Sequence, residues 1–399
     1  MKFVKYLLVV LISTCLIACG GSDSNVPSSF TKSVTPPGTA TTSYVYVVNY
    51  GDGRNNGSVS MFSIGSNGML IPLSTPTIAT GISPTAIVTN PAGPSFLGGP
   101  YVYVLNGPNL AASISQYGTD SNGVLYPFGP PTVTAGNYAV GIVGAPAPNN
   151  YYVYVINAPQ NSQGGYNQGT VRQYGVANFG PLTPQGTVLT GFGPQGIAIN
   201  PAGTYGYVPT CGNTNPESNI STVNQFAIIN GVFTSLSPDS VTLGDCPRKI
   251  VINPAGTYVY VSNGGNKCTL SVAAIGSNGT LSPAGNVDVC QAAMAFNPAG
   301  TYLYAVSYTN GVGIVSTYAV GPGAALTLLG TVAAGPTIVG SNTGGASIAI
   351  DPTGSYAYVI NSGNNTVSMY AIGGNGLLTP IGTVATGGTN PQAIAIASF

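Results

Sequence analysis

The stretch Tyr-Val-Tyr-Val-Val-Asn at Tyr44–Asn49 recurs along the chain and decides its architecture. Six further copies keep the alternation of aromatic and apolar residues with some substitutions. They lie at Tyr101–Asn106, Tyr152–Asn157, Tyr205–Thr210, Tyr258–Asn263, Tyr302–Ser307 and Tyr356–Asn361. Successive copies start 57, 51, 53, 53, 44 and 54 residues apart. A self-similar period of this length is typical of repeat architectures, in which each unit packs against its neighbours.

Each repeat contains four short strand-like segments joined by turn signals. The Tyr-Val segment is the second of the four. An apolar run such as 196–200 precedes it, and an alternating segment such as 58–62 follows it. Asn-Pro-Ala-Gly tetrads, as at 200–203, join the first two segments, because Pro presets φ and Gly accepts a positive φ. Ser-Asn-Gly, as at 66–68, joins the last two, and Asn-Gly is a strong hairpin signal. The sequence therefore predicts one antiparallel meander per repeat.

The Tyr-Val segment is apolar on both of its alternating faces, so both faces of each sheet must be covered. Radial packing of each sheet against two neighbours meets this requirement, and the repeat length suits four strands per blade of a β-propeller. The first copy, at residue 44, lacks a preceding apolar strand, whereas the chain ends on such a strand at 391–399. We predict an all-β fold over residues 44–399: a seven-bladed β-propeller of four-stranded antiparallel blades, closed by pairing of the C-terminal strand with the N-terminal blade.

The N-terminus has the features of an export signal rather than of folded structure. Two lysines precede a short apolar run, and residues 16–20 read Leu-Ile-Ala-Cys-Gly. This segment resembles the lipobox of bacterial lipoproteins, which implies removal of residues 1–18 and lipidation of Cys19, with several acyl chains anchoring the protein to a membrane. An ordinary secretory signal is the alternative. Residues 19–43 are rich in Ser, Thr, Pro and Gly, which predicts a flexible tether. We expect a lipid-anchored protein of the bacterial cell envelope, at the outer membrane because Gly20 follows the cysteine, facing either the periplasm or the surface.

Composition argues against several classes of function. The 399 residues include no His, eight Lys and Arg, and eight Asp and Glu, for a net charge of zero. Nucleic acid is not an expected partner because the chain has no basic excess. The absence of His removes the commonest general base and metal ligand. The sequence contains no nucleophile elbow, phosphate loop or calcium loop. We predict a monomer without a cofactor or metal.

Four cysteines fall within the repeat region, and an even number in an exported protein suggests two disulfides. They are Cys211, Cys246, Cys268 and Cys290. Three connectivities are open. In a propeller all four positions lie on the face that carries the loops between second and third strands and between blades. We favour Cys211–Cys246 and Cys268–Cys290, each of which ties one blade to the entry of the next. A metal site is the alternative, although the region has neither His nor a Cys-x-x-Cys pair.

Charged side chains are rare in the repeat region, and most fall in or beside loops of that same face. We take ten polar residues there as candidate ligand-binding residues. Eight are charged: Asp52, Arg54, Glu217, Asp245, Arg248, Lys249, Lys267 and Asp288. The other two, Gln195 and Gln392, share with Thr85 the repeat position of Arg248, which predicts a polar, mostly uncharged channel mouth. The alternative is that charges collect in loops only because the strands are packed between blades.

The repeats and the tripeptide Pro247-Arg248-Lys249 resemble the YVTN family and the lactonase-like propellers of the 6-phosphogluconolactonase type. The resemblance covers residues 44–399. It implies a seven-bladed propeller and hydrolysis of a sugar lactone, with Arg248 holding an anionic substrate group. Lys249 stands where that family has His, and Gly264 stands where a Glu often follows the second strand. A buried Lys can still act as a base if its pKa falls.

Three functional hypotheses follow. The first is a non-catalytic, envelope-anchored module that binds a protein, peptide or glycan through its loop face. The second is a lactone hydrolase, with Arg248 and Lys249 as candidate catalytic residues assisted by Glu217 and Asp288. The third is a structural surface repeat protein without a small-molecule site. The missing His and Glu favour the first and third, and the sequence leaves open whether the chain is an enzyme.

Overall fold

The seven Tyr-Val segments each form the second strand of a four-stranded antiparallel sheet, as the repeat predicts. The computed structural model describes residues 42–90, 100–107, 110–146, 151–161, 165–176, 180–212, 221–265, 268–289, 293–309, 312–336 and 348–399. The predicted signal 1–18, Cys19 and all but the last two residues of the predicted tether 19–43 lie outside the described residues. The propeller itself begins at Ser43, one residue before the predicted boundary.

Each sheet forms one blade, and every blade except the first takes its four strands from one continuous segment of the chain. Blade 1 contains β28 (Pro391–Ser398), β1 (Ser43–Asn49), β2 (Asn56–Ile64) and β3 (Leu70–Ile82), in hydrogen-bonded order. Blade 2 contains β4 (Pro84–Asn90), β5 (Tyr101–Asn106), β6 (Ala112–Thr119) and β7 (Leu125–Gly136). Blade 3 contains β8 (Ala139–Pro146), β9 (Tyr151–Asn157), β10 (Gln168–Val176) and β11 (Leu182–Phe192). Blade 4 contains β12 (Ala198–Ile199), β13 (Tyr205–Thr210), β14 (Thr222–Ile229) and β15 (Val232–Val241).

The remaining three blades follow the same plan. Blade 5 contains β16 (Pro247–Ile252), β17 (Tyr258–Asn263), β18 (Thr269–Ile275) and β19 (Leu281–Val287). Blade 6 contains β20 (Ala293–Phe296), β21 (Tyr302–Thr309), β22 (Val312–Val320) and β23 (Leu326–Pro336), with one 3-10 turn at Pro322–Ala324. Blade 7 contains β24 (Ile348–Ile350), β25 (Tyr356–Asn361), β26 (Thr366–Ile372) and β27 (Leu378–Ala385). The first strands of successive blades contact one another in a closed ring, β28–β4–β8–β12–β16–β20–β24 and back to β28.

The hydrophobic core is divided among the spaces between blades. Each cluster of buried apolar residues contains side chains from two neighbouring blades, and together the clusters pass around the whole ring. In β1, Tyr46 and Val48 face blade 2, whereas Val45 and Val47 face blade 7. This arrangement explains why the Tyr-Val segment is apolar on both faces, since each face is buried against a different neighbour.

A ring of tyrosine hydrogen bonds links every blade to the next. The second tyrosine of each Tyr-Val segment is buried and donates its hydroxyl to a carbonyl in the turn between the third and fourth strands of the following blade. The donor and acceptor pairs are Tyr46–Gly123, Tyr103–Gly180, Tyr154–Gly231, Tyr207–Gly279, Tyr260–Ala324, Tyr304–Gly376 and Tyr358–Gly68. Burial raises the pKa of these tyrosines, that of Tyr260 to about 12, so the hydroxyls keep their protons at neutral pH.

The same turns explain the recurrent Asn-Gly signal. Gly123 has a φ of +76, and its Cα lies against the ring of Tyr44 from the preceding blade. A Cβ at this position would come within 2.3 Å of that ring, and the positive φ is strained for any residue with a side chain. Blade 6 departs from the pattern, because Ala324 takes the left-handed conformation there, at a φ of +64.

Loss of one hydroxyl from this ring gives a direct test of its contribution. We expect Tyr358→Phe to lower the free energy of unfolding by about 1–2 kcal/mol, because the buried Gly68 carbonyl loses its donor at 3.0 Å. The matched control is Tyr356→Phe on the same strand, whose exposed hydroxyl bonds Ser66 and should contribute less than about 0.5 kcal/mol. Chemical denaturation measures both variants, and equal losses would contradict a special role for the buried ring.

The predicted closure is confirmed. β28 pairs antiparallel with β1, from Ser43 opposite Ser398 to Val48 opposite Ala393. Beyond the strand, the Phe399 amide donates to the Thr42 carbonyl at 3.0 Å, and its ring packs edge-on against Tyr44. The C-terminal strand thus completes blade 1 as its innermost strand, and no free edge is left on β1.

Candidate functional site

The first strand of five blades begins with the same irregular backbone. A residue with positive φ comes first and is usually followed by Pro, and in blades 1, 2, 3 and 5 the strand pairing then skips the next residue. The left-handed residues are Ser83, Tyr138, Gly193, Cys246 and Asn390. In blade 5, Pro247 pairs with Asn263 and Lys249 with Ser262, which leaves Arg248 as the extra residue of a β-bulge. Because a bulge re-aims the side chain it carries, Arg248 is freed from the alternation of the strand.

Hydrogen bonds and a disulfide fix the entry to β16. The carbonyl of Cys246 accepts the Gly264 amide at 3.0 Å, and its own amide donates to the Ser221 hydroxyl at 3.1 Å. The predicted disulfide Cys211–Cys246 is present, and it joins the end of β13 in blade 4 to the start of blade 5. The second predicted pair, Cys268–Cys290, includes Cys290, which lies outside the described residues.

Two glycines after β17 make room for the polar residues of this entry. The Arg248 side chain lies over Gly264, where an added Cβ would overlap its Nε, and the Asp245 carboxylate lies over Gly265 in the same way. Both Arg248 and Asp245 are exposed. Gly264 is the position at which the resemblance predicts a Glu, so the space that a glutamate would need at this point holds the arginine.

Lys249 lies at the wall of a cavity inside the ring of first strands. The cavity has a volume of about 180 Å³ and opens among blades 2 to 6. The lining residues are Ala86, Ile87, Gly141, Ile142, Gly196, Ile197, Lys249, Ile250, Val251, Ala293 and Met294. Lys249 occupies the repeat position that is Ala86, Gly141, Gly196 and Ala293 in the other lining blades. A lysine therefore enters the space that small residues leave elsewhere.

The electrostatic environment of Lys249 is unusual for a lysine. The side chain is half-buried, and burial lowers its pKa to about 8, with the Arg248 charge as a second cause. The other described lining residues of the cavity are apolar or Gly, so none of these brings a counter-charge. Among the described residues the ammonium has neither a hydrogen-bond acceptor nor a carboxylate partner, which is unfavourable for a charge that has lost part of its hydration.

The remaining candidate residues that the structure describes are distributed over other loops, apart from Asp245, which is close to Arg248 and Lys249 in sequence. Asp52 is exposed and accepts the amides of Arg54 and Asn55 at 2.9 Å, which lowers its pKa and makes it a loop-stabilising residue of blade 1. Arg54 is exposed in the same loop, and Asp288 is exposed after β19. Asp245, Arg248 and Lys249 are brought together by one strand entry. Glu217 and Lys267 lie outside the described residues.

The glutamines at the repeat position of Arg248 make hydrogen bonds within their own strand entries. Gln195 is half-buried and donates to the Gly193 carbonyl at 3.3 Å. Gln392 is 6% exposed and donates to the Asn390 Oδ1 at 2.7 Å. Thr85 is 2% exposed, and its hydroxyl has no partner among the described residues. The predicted polar positions exist, but Gln195 and Gln392 bond the backbone or side chain of their own entry.

Sequence reasoning missed the apolar cavity wall. Its signal is a small residue followed by Ile or Met at one offset of the repeat, as in Ala86-Ile87, Gly141-Ile142 and Ala293-Met294. Within the described ranges no group of three His, Cys, Asp or Glu side chains could hold a metal ion. In the same part of the chain, no helix combines the length and hydropathy needed to cross a membrane.

Comparisons with known proteins agree with the fold. A family model described as lactonase, 7-bladed β-propeller matches residues 293–398, which span blades 6 and 7 and the closing strand. A search of curated protein sequences finds no match to this chain. The predicted resemblance to lactonase-like propellers is therefore confirmed for the architecture, while the matched segment does not include Arg248 or Lys249.

Solved structures resemble the chain over most of its length at low identity. A putative 6-phosphogluconolactonase from Bacteroides fragilis is 18% identical with a TM-score of 0.67, over 91% of this chain and 100% of that one. The periplasmic gluconolactonase PpgL of Pseudomonas aeruginosa is 15% identical with a TM-score of 0.68, over 89% and 99% of the two chains. A hypothetical selenium-binding protein from Sulfolobus tokodaii is 11% identical with a TM-score of 0.64, over 89% and 93%. At these identities the likeness is one of fold.

Proposed function

We propose that the protein binds a small anionic molecule at the central channel, where Lys249 lines the cavity and Arg248 precedes it at the strand entry. The proposal rests on the environment of Lys249. Its side chain is a half-buried cation in a wall that is otherwise apolar or Gly, and no described residue supplies a counter-charge. A carboxylate or phosphate would supply that charge and a charge-assisted hydrogen bond. Arg248 supplies a planar guanidinium, whose paired donors suit such anions.

The cavity sets the size of the ligand. A volume of about 180 Å³ accommodates several water molecules, and so a compact sugar acid or short-chain acid. A small molecule in the channel is a different ligand class from the protein, peptide or glycan predicted for the loop face. Binding of a protein, peptide or glycan through the loop face stays a prediction, because it rests on loops that are partly outside the described residues.

Lactone hydrolysis is the second candidate, and two observations favour it. The family model that matches residues 293–398 describes lactonases, and several structural neighbours bear lactonase names. In addition, the lowered pKa of Lys249 makes its neutral amine available near pH 8, so that it could take a proton from an attacking water. The described part of the cavity wall offers no carboxylate for that role, which places this candidate second.

Substitution of Arg248 tests the binding proposal. We expect Arg248→Gln to weaken binding of small carboxylates and phosphates roughly ten- to a hundredfold, which corresponds to the loss of one charged hydrogen bond. Isothermal titration calorimetry of the full chain with a panel of sugar acids, sugar phosphates and neutral sugars gives the affinities. The matched control is Arg54→Gln, which removes an exposed arginine of blade 1 and should leave affinity unchanged.

Two results of that experiment would contradict the proposal: neutral sugars that bind as tightly as the acids, or equal losses from the two arginine variants. A parallel assay with the corresponding lactones separates the second candidate. Turnover by the wild type that disappears in Lys249→Met would promote hydrolysis above simple binding.

A further inference from the structure

Lys249 has the surroundings of a reactive amine rather than of a structural lysine. A structural lysine in a propeller would pair with a carboxylate or reach solvent along its stem. Here the side chain lines a cavity whose remaining described wall is built from Ala, Gly, Ile, Val and Met. Within the described residues nothing accepts a hydrogen bond from the ammonium, so nothing in that wall holds the amine in its protonated form.

We infer that the Lys249 amine is a nucleophile that captures the aldehyde or keto group of a small ligand in the channel as a reversible imine. This inference deepens the proposed function and rests on it, because the ligand must enter the same cavity. Under the proposed function Arg248 holds a carboxylate of that ligand, so the favoured class is small aldehyde acids and keto acids. Partial loss of hydration together with a neighbouring cation is an arrangement that activates lysine amines for such chemistry.

The step balances without any further reactant. The nitrogen lone pair of the neutral amine attacks the carbonyl carbon and forms a C–N bond as the C=O π bond breaks, and a proton passes from the nitrogen to the oxygen. The resulting carbinolamine loses its hydroxyl group together with the remaining N–H proton as water and leaves a C=N bond. One amine and one carbonyl thus give one imine and one water, with no oxidation or reduction, and added water reverses the reaction.

The charges around Lys249 decide its pH dependence. Arg248, on the same strand, is the charged group that lowers its pKa in addition to burial. The described residues that face the cavity from blades 2, 3, 4 and 6 are Ala, Ile, Gly and Met, none of which titrates. The amine is protonated and unreactive well below pH 8 and neutral above it. The rate of capture should therefore rise with pH and level off above about pH 8, whereas lysines of ordinary pKa continue to gain reactivity to about pH 10.

Reductive trapping tests the inference. The full chain is incubated at neutral pH with glyoxylate and cyanoborohydride, which converts any imine into a stable N-carboxymethyl group, and labelled peptides are identified by mass spectrometry. We expect Lys249 to be labelled roughly two orders of magnitude faster than the other lysines, in proportion to its larger neutral fraction. Label at this site should vanish in Lys249→Met and Lys249→Arg. It should persist in Lys32→Met, a control variant at a lysine of the predicted tether.

Further measurements in the same experiment distinguish a failure of the imine inference from a failure of the anion-binding proposal. Labelling that is spread over all lysines at similar rates overturns the inference, and Arg248-dependent binding of non-carbonyl acids would then still uphold the anion site. Equal labelling of Lys249 by glyoxylate and by acetaldehyde, unchanged in Arg248→Gln, supports the nucleophile and contradicts the anion site. Thermal melts of both Lys249 variants confirm that loss of label is not loss of fold.

Discussion

Deletion of residues 391–399 is expected to abolish the folded propeller rather than to weaken it. The deletion removes β28, the innermost strand of blade 1 and the link in the ring between β24 and β4. Ile394 fills the core between blades 7 and 1, and its burial alone contributes roughly 1.5–3 kcal/mol. Ala393 and Ala397 belong to the core between blades 1 and 2. Two of the clusters therefore lose their inner wall at once, and β1 is left with an unpaired edge that favours aggregation.

Thermal melting followed by circular dichroism, together with size-exclusion chromatography, measures this effect. The truncated chain should show no cooperative transition and should elute as aggregates. The control is deletion of Phe399 alone, which loses the edge-on contact with Tyr44 and the hydrogen bond from the Phe399 amide to the Thr42 carbonyl, each worth about 1 kcal/mol, and leaves every pair of the β28–β1 ladder. A 391–399 deletion that melts as the intact protein does would refute the closure as the basis of stability.

The architecture could be predicted from the sequence because its signals are local and repeated. The Tyr-Val segment, the Asn-Pro-Ala-Gly tetrads and the Asn-Gly turns each specify a strand or a turn within a few residues, and the repeat multiplies that information sevenfold. Closure could be predicted for the same reason, since the incomplete repeats at the two ends of the chain complement each other. The tyrosine ring could not, because the acceptor of Tyr46 is a turn carbonyl 77 residues away, at Gly123.

The candidate site was only partly predictable, because its determinants act between repeats. Pro247-Arg248-Lys249 differs from the other repeats in charge, and that difference pointed to the strand entry that lies beside the cavity. The bulge that turns Arg248 out of alternation depends on the left-handed Cys246, a conformation that residue preferences do not predict for cysteine. The cavity beside Lys249 forms where small residues from several blades come together around the propeller axis. Their distances from one another depend on how the blades pack, which cannot be read from the sequence of any one repeat.

Removal of the Cys211–Cys246 disulfide is expected to lower the free energy of unfolding by about 4 kcal/mol. In the chain-entropy model this value follows from the sequence separation of 35 between the two cysteines, since the cross-link restricts the unfolded chain. For a domain of this size the loss corresponds to a fall in melting temperature of roughly 5 °C. The Cys211→Ser, Cys246→Ser double variant is the appropriate form, because it leaves no unpaired thiol at either position, and differential scanning calorimetry gives the comparison with the wild type.

The same variant distinguishes stability from site geometry. The backbone bonds that hold the strand entry, from the Cys211 amide to the Gly193 carbonyl and from the Gly264 amide to the Cys246 carbonyl, do not involve sulfur and should survive. Arg248 should then keep its place over Gly264, and affinity for small anions should change less than about threefold, well short of the effect of Arg248→Gln. An unchanged melting temperature would contradict the cross-link as a source of stability. A loss of affinity as large as that of Arg248→Gln would instead show that the disulfide, rather than the backbone bonds around Cys246, positions the cation at the channel.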